Sequence, residues 1–156
     1  MANPATREDE KAERERTVFL AFLHQSRLPI NASSVESRRP PEADIYCVHN
    51  DDGPVAFELA ELCDSDIAGL TSRLLKSGGG AGSLWTSDPT SGIFLNKLRK
   101  TYQPGRPVEL IVYTNARVVT TDDQIVLKLE DLICSHGRGP FQRVWLLGEK
   151  ICQEIL

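Results

Sequence analysis

The sequence predicts a single α/β domain, and three observations point to it. An amphipathic helical stripe opens the chain, a β-hairpin pattern occupies residues 44–60, and the last fifty residues read strand, helix, strand. With 156 residues and a hydrophobic fraction of 40%, the chain is long enough to bury one core without disulfide or metal staples.

From Glu8 to Gln25 the apolar residues Val18, Phe19, Phe22 and Leu23 recur at helical spacing, and Pro29 marks the exit. At 100° per residue, Glu15 projects onto the centre of that apolar stripe. Glu8 projects there too, but it stands where the helix frays toward solvent, and residues 1–7 are expected to be disordered. Asn31–Arg39 is polar with room for a short strand at Ser34–Glu36, and Pro40-Pro41 imposes an extended entry into the next segment. Asp44–His49 is rich in β-formers, Asn50-Asp51-Asp52-Gly53 is a turn, and Val55–Ala60 is the returning strand. The side-chain period of two places Glu58 and Ala60 on one face and Val55, Phe57 and Leu59 on the other.

Residues 77–84, with Gly78-Gly79-Gly80 and Gly82, predict a mobile loop leading to Trp85, and they lack the lysine and hydroxyl residue of a phosphate-binding P-loop. A helix is expected from Ser91 to Thr101, burying Phe94, Leu95, Leu98 and Tyr102. Val108–Tyr113 is a strand, Asp122–Ser135 a helix burying Ile125, Leu129, Leu132 and Ile133, and Val144–Leu147 a strand buried on both faces around Trp145. Two strands joined across a helix make a parallel crossover.

Composition narrows the function classes. Eighteen basic against 22 acidic residues, a net charge of −4, gives no global attraction to polyanions, so any nucleic acid must be met by a local basic patch such as Lys97, Arg99, Lys100 and Arg106 around Tyr102. The four cysteines Cys47, Cys63, Cys134 and Cys152 form no C-x-x-C pair and read as buried reduced thiols, with Cys134 and Cys152 inside helical patterns. His24, His49 and His136 lack ligand spacing, and no G-x-S-x-G elbow is present. The polar start, Met1 to Arg16, is unlike a signal peptide, and no apolar run reaches the roughly 20 residues of a membrane span. A soluble, cytoplasmic protein without membrane attachment is expected.

The acidic residues gather on the hairpin. Asp44 and Glu58, on adjacent antiparallel strands and able to share a face, are the pair with which a phosphodiester hydrolase would hold a hard cation. Pro41-Glu42-Ala43-Asp44 and Phe57-Glu58-Leu59-Ala60-Glu61, followed by Val108–Thr114 and Phe141–Leu147, resemble the PD-(D/E)xK nuclease superfamily over nearly the whole chain. That resemblance implies a restriction-endonuclease-like αβββαβ core, a mixed sheet flanked by helices, with a further helix and strand at the C-terminus. It implies Mg²⁺ or Mn²⁺ on Asp44 and Glu58, assistance from Glu15 on the first helix, a nucleic-acid substrate, and a homodimer where two strands are cut.

One position departs from the pattern. The lysine that the family carries two residues after the glutamate is Ala60 here. Lys97 and Lys100 are the replacements on offer, but on a helix reaching Thr101, Lys97 lies at the margin of the buried face and Lys100 nearly opposite it. Lys97 is the candidate retained. Glu61 faces away from Glu58 if the strand continues and joins the site if the chain turns helical there. Two readings stay open: a metal-dependent nuclease, and a catalytically inactive relative that binds nucleic acid or a protein partner.

Overall fold

The computed structural model describes residues 4–62, 89–102, 105–114 and 120–155. Cys63, the glycine-rich segment 77–84 and Trp85 lie outside these.

The described residues form a mixed six-stranded sheet with α-helices on its two faces. Helix α1 (Pro4–Ser26) is followed by a 3₁₀ turn (Ala32–Ser34), then by strands β1 (Glu36–Ser37), β2 (Ile45–His49) and β3 (Gly53–Leu62). Helix α2 (Pro89–Leu98), β4 (Val108–Thr114), α3 (Asp122–His136), β5 (Phe141–Leu147) and β6 (Cys152–Ile155) complete the order. In space the strands run β1 to β6 in chain order. The first three are antiparallel, β3, β4 and β5 are mutually parallel, and β6 returns antiparallel to β5. The α/β class, the hairpin and the parallel crossover thus match the reading of the sequence.

Several boundaries differ from expectation. Helix α1 begins at Pro4, inside the segment expected to be disordered, and its early Glu8 and Asp9 carboxylates are held by Arg39 at 3.1 and 2.9 Å. The short strand predicted at Ser34–Glu36 forms at Glu36–Ser37, because Asn31 accepts the Ser33 N–H and winds the preceding residues into the 3₁₀ turn. Helix α2 stops at Leu98, three residues before the expected Thr101. Strand β6 has no counterpart in the sequence reading, and it takes Cys152 out of a helical pattern into a strand; Cys134 is exposed, where a buried thiol was expected.

Two hydrophobic layers fix the sheet. On one face α1 seats Phe19 and Phe22, both fully buried, against Phe57 and Trp145, with ring centroids 5.0 Å apart for Phe19–Phe57 and 5.4 Å for the edge-on Phe22–Trp145 pair. On the other face Phe94 of α2 and Ile125, Leu129 and Leu132 of α3 cover Ala56, Ala60, Leu110, Val112, Val144 and Leu146. Glu58 lies on this second face, between Ala56 and Ala60, so α2 packs directly above it. Helix α3 starts at a capping box in which Thr121 and Gln124 bond each other's backbone. Its Asp122 carboxylate then accepts the N–H groups of Glu149, Lys150 and Ile151 at 2.8–3.2 Å, which shapes the β5–β6 turn. Among the described residues no helix is long and apolar enough to cross a membrane.

Candidate active site

The hairpin register sets the two acids side by side. Ile45 pairs with Phe57, and extending that register by one residue brings Asp44 against Glu58. The Asp44 side chain then takes the place of a ladder carbonyl: Oδ2 accepts the Leu59 N–H at 2.9 Å. Both acids are buried, Asp44 with 7% and Glu58 with 2% of its surface exposed. Two carboxylates without cations at such depth would protonate rather than stay charged.

Cations are present, and they come from elements remote in sequence. Lys97, in the last turn of α2, donates to Glu58 Oε1 at 2.7 Å, and Lys100 donates to the same oxygen at 2.8 Å. Helix termination explains why Lys100 reaches it. Past Leu98 the chain leaves the helix in a turn closed by the Lys100 N–H on the Lys97 carbonyl at 3.1 Å, so Lys100 no longer follows the helical projection. The expectation that Lys100 faces away is corrected on this ground, whereas Lys97 stands at the margin of the buried face, as expected, and reaches Glu58 from there. A third ammonium, Lys11 on α1, lies 3.2 Å from Glu15 Oε1 and 3.9 Å from Asp44 Oδ1. Glu15 therefore joins Asp44 and Glu58 at the site, as its place on the apolar stripe suggested. Lys11 went unnoticed in the sequence although it stands four residues before Glu15, the spacing of a helical ion pair. Strand β3 runs on to Leu62, so Glu61 points to the face opposite Glu58.

The electrostatics of the two acids diverge. Burial pushes Glu58 upward, but the Lys97 and Lys100 ammonium groups outweigh it and hold its carboxyl below the usual range. Asp44 is held above its usual range by burial and by the Glu58 charge, against the Leu59 N–H and the more distant lysines. Glu15 is raised for similar reasons, burial first and the Asp44 charge second. Lys100 loses some solvation, yet its bond to Glu58 raises its affinity for the proton and keeps it an ammonium. The Tyr102 phenol is raised by burial and by both carboxylates, and its buried hydroxyl lies near Glu58 without reaching full hydrogen-bond geometry.

Open space reaches the cluster at two places, one at Glu15 and Lys97 and the other at Asp44 and Glu58. A cleft of about 1070 Å³ is lined by Lys11, Arg14 and Glu15 of α1, Ala60 of β3, Lys97 of α2 and Tyr113 of β4. It lies at the carboxyl ends of the parallel strands β3 and β4, where open α/β sheets place their ligands. A smaller cavity of about 240 Å³ is lined by Lys11, Pro41, Asp44, Glu58, Lys100 and Tyr102. Among the described residues no group of three or more His, Cys, Asp and Glu side chains is arranged to enclose a metal ion. Of the other basic candidates, Arg106 stacks on Tyr46, 4.4 Å from the ring centre, and His49 accepts the Asp51 and Asp52 N–H groups in the hairpin turn. The chain matches no family model, no curated protein and no solved structure.

Proposed function

We propose that this protein is a divalent-cation-dependent nuclease of the PD-(D/E)xK kind, hydrolysing phosphodiester bonds at the Asp44–Glu58 centre. The observation that carries the reading is the bond from Lys97 to Glu58: the ammonium group missing at Ala60 is supplied to the same glutamate from the covering helix. The succession α1, β1, β2, β3, α2, β4, with β4 parallel to β3, supports the restriction-endonuclease-like arrangement.

The donor set suits Mg²⁺ or Mn²⁺. Such ions take one or two carboxylates and fill their remaining positions with water and phosphate oxygens, so an enclosing third acid is not required. Asp44 and Glu58 would hold the ion, and a cation there would relieve the charge crowding that raises Asp44. When bound, the ion makes water a stronger nucleophile and draws charge off the phosphate. The chain's own groups do the positioning. The Leu59 N–H fixes Asp44 through Oδ2, Lys97 holds Glu58 from a largely covered position, and Lys100, kept protonated, donates to anionic oxygen rather than taking a proton from water. Glu15 and Lys11 close the side toward the larger cleft.

A second reading is favoured by one observation: Lys11, Lys97 and Lys100 face Glu15, Asp44 and Glu58, and three positive charges against three negative ones cancel without any metal. On that reading the protein is a catalytically inactive relative that binds nucleic acid or a protein partner. Incubation with Mn²⁺ or Mg²⁺ and single- or double-stranded DNA or RNA separates the two. The nuclease reading predicts cleavage that falls by at least about a hundredfold in Glu58→Ala. Undiminished cleavage by a folded Glu58→Ala protein contradicts the assignment, and nucleic-acid binding without cleavage under every condition favours the inactive relative.

A further inference from the structure

Lys97 and Lys100 converge on the same Glu58 oxygen, and their surroundings differ. Lys97 is anchored in α2 with 18% of its side chain exposed, whereas Lys100 stands past the helix end with 51% exposed. Both ammonium groups lie within hydrogen-bond distance of Oε1, so they are close enough to repel each other, and the Glu58 charge is what holds them together. Glu58 balances only one of the two, and the charge of Lys100 is met in part by the neighbouring Asp44.

We infer that Lys100 is a displaceable counter-ion: it occupies Glu58 until a divalent cation arrives, then leaves for the phosphate of the bound substrate, while Lys97 stays. This rests on the nuclease reading above. A cation between Asp44 and Glu58 adds two positive charges to a set whose formal charges otherwise cancel. Repulsion then acts on both lysines, and the group with the shortest path to water moves. For Lys100 that path is the smaller cavity, which it already lines together with Asp44 and Glu58. A phosphodiester entering there brings one negative charge and an acceptor for the freed ammonium. Lys100 is accordingly a positioning residue with two successive partners, the glutamate and then the substrate. It makes cation binding weak until substrate is present.

Calorimetric titration of Mn²⁺ into the wild-type protein, Lys100→Ala and Lys100→Met tests this, with circular dichroism confirming that each is folded. Removing the competing ammonium should tighten Mn²⁺ binding by about tenfold in both variants. A short phosphorothioate oligonucleotide should tighten it in the wild type and do so less in the variants. Mn²⁺ binding that is unchanged or weaker in folded Lys100 variants overturns the displacement and leaves the cation site standing. Absence of Mn²⁺ binding in the wild type and both variants overturns the cation site and this inference together.

Discussion

A third buried carboxyl stands apart from the Asp44–Glu58 pair, and its contrast with that pair explains why only the pair reads as a site. Glu109 on β4 is 6% exposed, comparable to Asp44 and Glu58, but it lies on the α1 face. It accepts the Trp145 indole N–H at 2.7 Å, and its cation, Arg143, is 4.0 Å away. Burial outweighs these partners and raises its pKa. Glu58 sits as deep, with two ammonium groups in contact, a second carboxylate beside it and a cavity that both acids line. Burial of an acid does not by itself mark chemistry. A buried acid kept ionised by two ammonium groups, next to another acid and to open space, does.

Substitutions break the comparison in a definite order. The largest effect is expected at Glu58. Glu58→Gln leaves Lys97 and Lys100 facing each other with only the neighbouring Asp44 as counter-charge, and urea denaturation should show a loss of about 3–5 kcal/mol, the usual penalty for halving a buried ion pair. The core that carries both acids comes next. Phe22→Ala empties the space between Phe57 and Trp145 and should cost about 3 kcal/mol or more, loosening β3. Asp44→Asn should go the other way. The amide oxygen can still accept the Leu59 N–H while the like charge disappears, so a gain of about 1 kcal/mol is expected together with lost cleavage, the pattern of a residue kept for function at the expense of stability.

The smallest effect, and the one that sharpens the contrast most, is the pH dependence. A raised native pKa means that ionised Glu109 lowers stability: the penalty is complete above the native value and vanishes as pH falls toward the unfolded value of 4.5. Glu109→Gln should therefore approach or exceed wild-type stability at pH 7 and lose that relative advantage in acid, read from urea midpoints at pH 4 and pH 7. The depressed pKa of Glu58 has the opposite sign: its contribution is complete above 4.5 and is lost as pH drops through the lower native value. If the two acids responded to pH in the same direction, the distinction between them would be wrong.

Local pattern carried much of the site, and its failures have specific causes. Period two along the hairpin allowed Asp44 and Glu58 to share a face, and the 100° projection turned Glu15 inward; both depend only on regular structure continuing through those residues. Lys100 escaped because its projection assumed three more helical residues than α2 has, and a long side chain released from a helix end can swing onto a neighbouring strand. Strand β6 escaped because its turn is held by Asp122, far upstream, whose carboxylate meets three backbone N–H groups. The backbone of Gly148 passes so close to that carboxylate that a β-carbon there would collide with it. Such contacts between distant segments leave no periodicity to read.

A cation site at Asp44 and Glu58, and none at Glu109, is best tested by comparing Mn²⁺ binding to the wild-type protein, Asp44→Ala and Glu109→Gln, by calorimetry on folded samples with a short uncleavable oligonucleotide present. Binding is predicted for the wild type and for Glu109→Gln, and none for Asp44→Ala. Binding that survives in Asp44→Ala, or that is lost in Glu109→Gln, would contradict the assignment.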